Sequence, residues 1–210
     1  VVSSISRNGP AQYGDSQVTY RTIRILTAVI GLAAASGVAS ISATGPAFAE
    51  ATVQVGGAPM YPSKNIIQNA VNSKDHTTLV AAVKAAGLVD TLQGPGPFTV
   101  FAPVNRAFQK LPAGTVDNLL KPENKNTLAA VLTYHVVPGK YSAADLMNEA
   151  KMGGGKAILK TVEGESLTVT QVGRKLEIID AKGDTSIVTI ADVNQSNGVI
   201  HVVDTVLLPN

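Results

Sequence analysis

The chain has 210 residues, 45% hydrophobic and 15% charged, which suits one domain behind a processed segment and excludes a collagen-like, coiled-coil or wholly disordered protein. It contains no cysteine, so disulfides, thiolate metal sites and thiol catalysis are excluded. The formal net charge of +2 resides in the 49 residues before Glu50, where Arg7, Arg21 and Arg24 face only Asp15; the neutral remainder is a poor partner for nucleic acid, whose binding draws on phosphate contacts.

The stretch YRTIRILTAVIGLAAASGVASISATGPAFAE begins with Arg21 and Arg24 and continues through an apolar run from Ile25 to about Ala35. It ends in the small residues around Ala47-Phe48-Ala49. That is the order of a signal peptide, with cleavage expected between Ala49 and Glu50. A retained transmembrane helix is the rival reading, since no charge falls between Arg24 and Glu50. Spanning needs roughly 20 strongly apolar residues, and Ser, Thr, Gly and Pro dilute the second half. The expected organisation is a leader over 1–49, a lead-in over 50–57 and a single domain over 58–210. Such a protein is secreted, extracellular or periplasmic, and meets a membrane only through an uncleaved leader.

The first half of the domain reads as helical. Ser63 is placed to cap a helix carrying Ile66, Ile67, Ala70 and Val71, and Asp75 a second one carrying Leu79, Ala82, Val83 and Ala86, which Gly87 stops. LVDTLQGPGP adds a turn before Phe98–Ala102, a strand that ends at Pro103 because proline cannot donate to a ladder. Asn105 is expected to cap the short helix through Phe108. Further helices begin near Thr115 and run from about Asn126 to Tyr134. HVVPG is a short strand, and SAADLM one helical turn capped by Ser142. Strands are then expected at Ala157–Val162, Ser166–Val172, Lys175–Asp180, Ser186–Ala191 and Val199–Leu207. LTVTQVGRKLEIID, with its period of two around Gly173-Arg174, is the clearest hairpin. Helices followed by an antiparallel meander predict an α+β fold. Phe98–Ala102 precedes the meander and so needs a distant partner, for which the apolar last strand is suited.

FTVFAPVNRAF, LTYHVVPGKYS and SNGVIHVVDTVLLP resemble, in order and spacing, the first conserved block, the Tyr-His block and the second conserved block of the fasciclin (FAS1) domain family. The resemblance covers about Ala58 to Pro209 and is similar to the secreted single-domain bacterial type. It implies a wedge-shaped β-sandwich with an N-terminal cluster of helices, and adhesion or binding outside the cell rather than catalysis. It also implies that the two conserved blocks lie side by side as central strands, with Phe98, Val100 and Phe101 in the core.

The resemblance further implies two partner-binding candidates. Asp192-Val193 stands at the offset where animal adhesion members carry an Asp-Ile pair linked to integrin binding, although valine replaces isoleucine and Ala191 stands where proline is expected. An aspartate there could complete the coordination of a receptor's divalent cation; the plainer reading is a strand-end residue near a turn. Tyr134-His135 matches the block also tied to receptor binding, and its plainer reading is a buried histidine hydrogen-bonded within the core. His76 and His201 show no ligand spacing with His135, so no metal and no cofactor are expected. G-x-S-x-G is missing, and MGGGKA lacks the spacing of a phosphate loop. Asn194-Gln195-Ser196 is a glycosylation sequon that matters only in a eukaryotic secretory pathway.

The expected function is therefore a secreted or envelope adhesion domain, not an enzyme, that binds an extracellular protein or polysaccharide. The alternative is a carrier of a small apolar ligand in a pocket between helices and sandwich, which requires at least ~300 Å³.

Overall fold

The computed structural model describes residues 50–210; the signal-peptide reading of residues 1–49 falls outside this range. Within the stretch read as a lead-in, Val53–Val55 (β1) pairs with Ala58–Met60 (β2) in a two-stranded hairpin. Val55 and Met60 are buried in the core. Strands of three residues are too short for an alternating pattern to reveal them.

The helix cluster comprises Ile66–Ala70 (α1), Thr77–Ala86 (α2), Val89–Gln93 (α3), Asn105–Gln109 (α4), Thr115–Leu119 (α5) and Lys125–Tyr134 (α6). Its caps differ from those expected. Asn65, not Ser63, caps α1, in a reciprocal capping box with Gln68; Ser63 bonds to the Glu50 carboxylate instead. Asp75 lies in a 3-10 turn before α2 and makes no cap. The start of α2 is held from across the fold by Asn105. Its Oδ1 accepts from the Thr78 N–H at 3.0 Å and the Thr77 hydroxyl at 3.2 Å, and its Nδ2 donates to Lys74 O at 2.9 Å. Asn105 thus caps a helix 27 residues away rather than its own. Gly87 ends α2 as expected, in the left-handed conformation at φ 74° that favours glycine.

One mixed sheet takes the strands Phe98–Pro103 (β3), Val136–Pro138 (β4), Lys156–Lys160 (β5), Ser166–Val172 (β6), Lys175–Ile179 (β7), Thr185–Gln195 (β8) and Gly198–Val203 (β9). Its spatial order is β4-β3-β9-β8-β7-β6-β5. Neighbours are antiparallel except β3 and β9, which run parallel from Phe98↔Gly198 to Pro103↔Val203. The first and last conserved blocks are central partners, as expected. Glycine is required at 198, because a Cβ there would collide with the Phe98 carbonyl. At the far ends of the sheet, the Val162 N–H just beyond β5 donates to Val136 O of β4 at 2.8 Å, so the sheet curls toward closure. The class is α+β, with the sheet forming a near-barrel sandwich.

Two apolar cores result. The first lies between the helix cluster and the β3–β9 face and includes Val83, Leu92, Val100, Ala102, Phe108, Leu128 and Ile200. The second lies inside the curled sheet, where Leu146 and Ala150 of Ala143–Met152 (α7) meet Phe101, Leu159, Leu167, Val169, Leu176 and Ile178. This helix is ten residues long rather than one turn, and Ser142 caps it as expected, in a capping box with Asp145. β3 serves both cores because successive side chains alternate: Val100 and Ala102 face the helices, and Phe101 faces α7. Burying a side chain such as Phe101 is worth roughly 1.5–3 kcal/mol. Phe98, at the strand's start, is only half-buried.

Candidate functional site: the Asp192 bulge and the Tyr134–His135 segment

β8 continues to Gln195, so Asp192 lies within the strand rather than at its end. The pairing of β8 with β9 is irregular between Val188 and Val193, and Asp192 occupies that bulge at φ 57°. Aspartate tolerates the left-handed region better than most residues, and bulges re-aim side chains. Its carboxylate turns toward the start of α7, where Oδ1 accepts from the Ala143 N–H at 2.8 Å. A negative charge there is favoured by the helix dipole. Its backbone N–H donates to His201 Nδ1 at 3.3 Å, and its carbonyl accepts from Asn194 Nδ2 at 3.2 Å. Asp192 is half-buried, while its neighbour Val193 is fully buried in the first core.

Tyr134 ends α6 and is wholly enclosed by the second core. Its hydroxyl donates to Ser166 O at 3.1 Å and accepts from the Ala181 N–H at 2.9 Å. Burial raises its pKa above the usual phenol value. His135 caps the same helix and is buried. Its Nδ1 lies 2.7 Å from Val131 O, and its Nε2 is 3.0 Å from the Leu207 N–H. A carbonyl can only accept and an amide N–H only donate, so the ring is neutral with its proton on Nδ1. Burial pushes its pKa down to about 4. Both nitrogens are spent on the scaffold, one tethering α6 and the other the C-terminal segment after β9.

The two candidate segments converge on Phe101. Its backbone N–H donates to His135 O at 2.9 Å, and its ring stacks on His201 with centroids 5.8 Å apart. His201 is fully buried; its Nε2 lies 2.9 Å from Tyr141 O, and its Nδ1 takes the Asp192 N–H. A path of contacts therefore runs from His135 through Phe101 and His201 to Asp192. Among the described residues no group of three or more His, Asp and Glu side chains gathers as metal ligands.

Two further features bear on the site. Asn197, read as half of a turn, is a buried hub: its Oδ1 accepts from the Ile66 N–H at 3.1 Å and its Nδ2 donates to Leu92 O at 2.8 Å and Gly94 O at 2.9 Å. It joins α1, the end of α3 and the start of β9. The second feature is a cavity between the helix cluster and the β3–β9 face, lined by Leu79, Val83, Leu92, Val100 and Ile200, with His76 and His135 on its wall. It lies where a carrier's pocket is expected, but its volume is about 60 Å³, well below the ~300 Å³ of a carrier site. No sequence signal marks it, because a cavity is a property of packing between distant elements.

Residues 74–209 match the fasciclin domain family. Protein sll1483 of Synechocystis is 49% identical over 144 residues, covering 69% of this chain and 73% of that protein. Immunogenic protein MPB70 of Mycobacterium bovis is 38% identical over 145 residues, covering 67% and 66%. A solved FAS1 domain pair from the insect cell adhesion molecule Fasciclin I superposes with a TM-score of 0.62 at 22% identity, over 76% of this chain and 58% of that one, a likeness of fold. On the family match and the identity to these relatives, the chain belongs to the fasciclin domain family.

Proposed function

We propose that this chain is a secreted or cell-envelope interaction domain that binds an extracellular protein or polysaccharide and catalyses no reaction. The observation that carries the reading is the fasciclin match over residues 74–209, on a fold shared with an insect cell adhesion molecule. The leader read from the sequence supports export. Among the described residues no helix is long and apolar enough to cross a membrane. His135 and His201 have both ring nitrogens engaged with backbone groups, which favours binding over acid–base chemistry.

Asp192 is the candidate suited to touch a partner. It is half-buried, and one carboxylate oxygen is committed to Ala143 while the other makes no hydrogen bond among the described residues. A receptor's divalent cation could take that oxygen. Val193, Tyr134 and His135 support it from within, through β8 and the Phe101 path.

The test uses Asp192→Asn, which keeps an acceptor for the Ala143 N–H and tolerates the left-handed backbone while removing the charge. Binding of wild type and variant to host-cell and bacterial-envelope fractions is compared with and without calcium or magnesium. The reading expects cation-dependent binding by wild type and at least a tenfold loss in the variant at unchanged melting temperature. Equal binding by both would move the contact away from Asp192, and wild-type protein that binds neither fraction would overturn the interaction reading.

A further inference from the structure

Five large apolar side chains are exposed among the described residues, and three of them, Met152, Ile158 and Val172, gather at one corner of the curled sheet. Met152 ends α7, Ile158 lies on β5 and Val172 ends β6. Strand pairing brings them together. Lys156 lies opposite Thr170, so the tip of the β6–β7 hairpin, where Val172 faces Lys175, reaches two residues beyond Lys156 toward the α7–β5 turn. The two turns are therefore neighbours, within about 10 Å by strand geometry. Ile158 and Val172 face outward, because their alternates Ala157, Leu159, Leu167 and Val169 fill the second core. A side chain at Gly154, Gly155 or Gly173 would meet no atom within 4 Å, so both turns project into solvent.

Both turns are basic. The first carries Lys151 and Lys156 and the second Arg174 and Lys175, all exposed. Among the described residues the one ion pair joins Lys110 to Asp204, so these four cations have no carboxylate partner there. The acids next to them in sequence and register, Glu149 and Glu177, are half-buried, and Glu177 accepts from the Thr170 hydroxyl at 3.2 Å. The opposite end of the same strands is acidic, with Glu163 and Glu165 in the β5–β6 turn and Asp180 and Asp184 in the β7–β8 turn, against Lys160 and Lys182. Apolar tips gain by leaving water, while the lysine and arginine heads need a polar, anionic layer. An anionic bilayer offers both, headgroups above and acyl chains just beneath. An acidic polysaccharide supplies the charge without an apolar layer for Met152. The same surface repels the acidic end, which fixes the orientation of the domain.

We propose that this corner docks on a bilayer rich in anionic phospholipid, with Met152 and Val172 entering the interface and Lys151, Lys156, Arg174 and Lys175 on the headgroups. It is a contact of the folded domain, separate from any made by the leader. It lies at the opposite end of α7 from Asp192, which meets Ala143, and it stands independently of the adhesion reading.

The chain has no cysteine, so Met152→Cys or Lys182→Cys gives the full chain a single attachment point for a fluorophore that brightens and shifts to the blue in an apolar medium. Each labelled protein is titrated with vesicles of phosphatidylcholine alone or of phosphatidylcholine and phosphatidylglycerol in equal parts. The probe at position 152 is expected to respond saturably to the phosphatidylglycerol vesicles only, and less as salt is added; the probe at position 182 is expected not to respond. Replacing Lys151, Lys156, Arg174 and Lys175 together by glutamine is expected to weaken the response at 152 about tenfold or more. Four results overturn the proposal: no saturable response at 152, an equal response to phosphatidylcholine alone, an equal response at 182, or an unchanged response in the glutamine variant. The leader is present throughout, so binding through it alone cannot separate position 152 from position 182. All the substituted side chains are exposed, and the comparison of lipids at position 152 decides the matter even if the glutamine variant does not fold.

Discussion

The two cores solve the same packing problem with different materials. The first joins short helices, several of five residues, to the β3–β9 face and leaves a cavity with the buried His76 on its wall. The second packs the buried face of one ten-residue helix, α7, against the curled sheet, and the buried Tyr134 hydroxyl there is bonded as donor and acceptor. Alternating strands present a continuous row of side chains to a helix. Short helices meeting at varied angles leave gaps where their side chains do not interdigitate. The second core is the more completely filled, whereas the helix-side core leaves a cavity of about 60 Å³.

The largest effect that separates the cores comes from truncation. Leu146→Ala, at the centre of the second core and fully buried, is expected to cost about 4–5 kcal/mol, near the top of the range for such changes. Leu79→Ala is expected to cost about 2–3 kcal/mol, because its side chain already lacks partners where it borders the cavity. Urea unfolding of both variants gives the comparison; equal losses would show the cores to be equally packed.

Acid is the next probe. His135, at a pKa of about 4 in the fold against an ordinary 6.5, binds its proton less readily when folded. Its contribution is complete above pH 6.5 and is lost as pH falls toward 4, because the unfolded chain takes up the proton first. The loss is on the order of 3 kcal/mol, and His76 and His201, also lowered by burial, shift it in the same direction. Since His76 and His135 line the cavity, amide exchange at pH 4.5 is expected to accelerate in α2 more than in α7. The reverse order would place the acid-sensitive step in the second core.

Tyr134→Phe leaves the Ser166 carbonyl and the Ala181 N–H without their partner and is expected to cost about 1–3 kcal/mol at unchanged secondary structure. The smallest contrast is a single added methyl group. Val169→Ile overfills a fully buried position and is expected to cost about 1–2 kcal/mol. Val83→Ile extends into the cavity and is expected to be neutral or to stabilise by up to about 1 kcal/mol. Melting temperatures of the pair measure this, and a similar loss in both would mean that the cavity wall is as tight as the second core.

Much of this was legible along the chain where the cause is local. The hairpin of β6 and β7 forms at Gly173-Arg174, where period and turn residues coincide, with Val172 opposite Lys175. Gly87 stops α2 and Ser142 starts α7, because each acts on its own helix. The distant pairing of β3 with β9 was also within reach, since an apolar strand with no neighbour must find one. The candidate site was legible only as positions. That Asp192 sits in a bulge facing α7, and that Tyr134 and His135 turn inward, depends on which elements pack on them.

The amino-acid order thus determined the α+β class, the alternating strands and the helix stops, which follow from spacing and backbone preference, and it carried the three blocks that resemble the fasciclin domain. Tertiary structure alone decided that Asn105 caps a helix 27 residues away, that Asn197 ties α1 and α3 to β9, and that His76 is buried on the wall of a cavity. The physical reason is common to the three. A hydrogen bond or a void between elements far apart in sequence exists only once the chain has closed on itself, and residue type states a need for a partner without saying who supplies it.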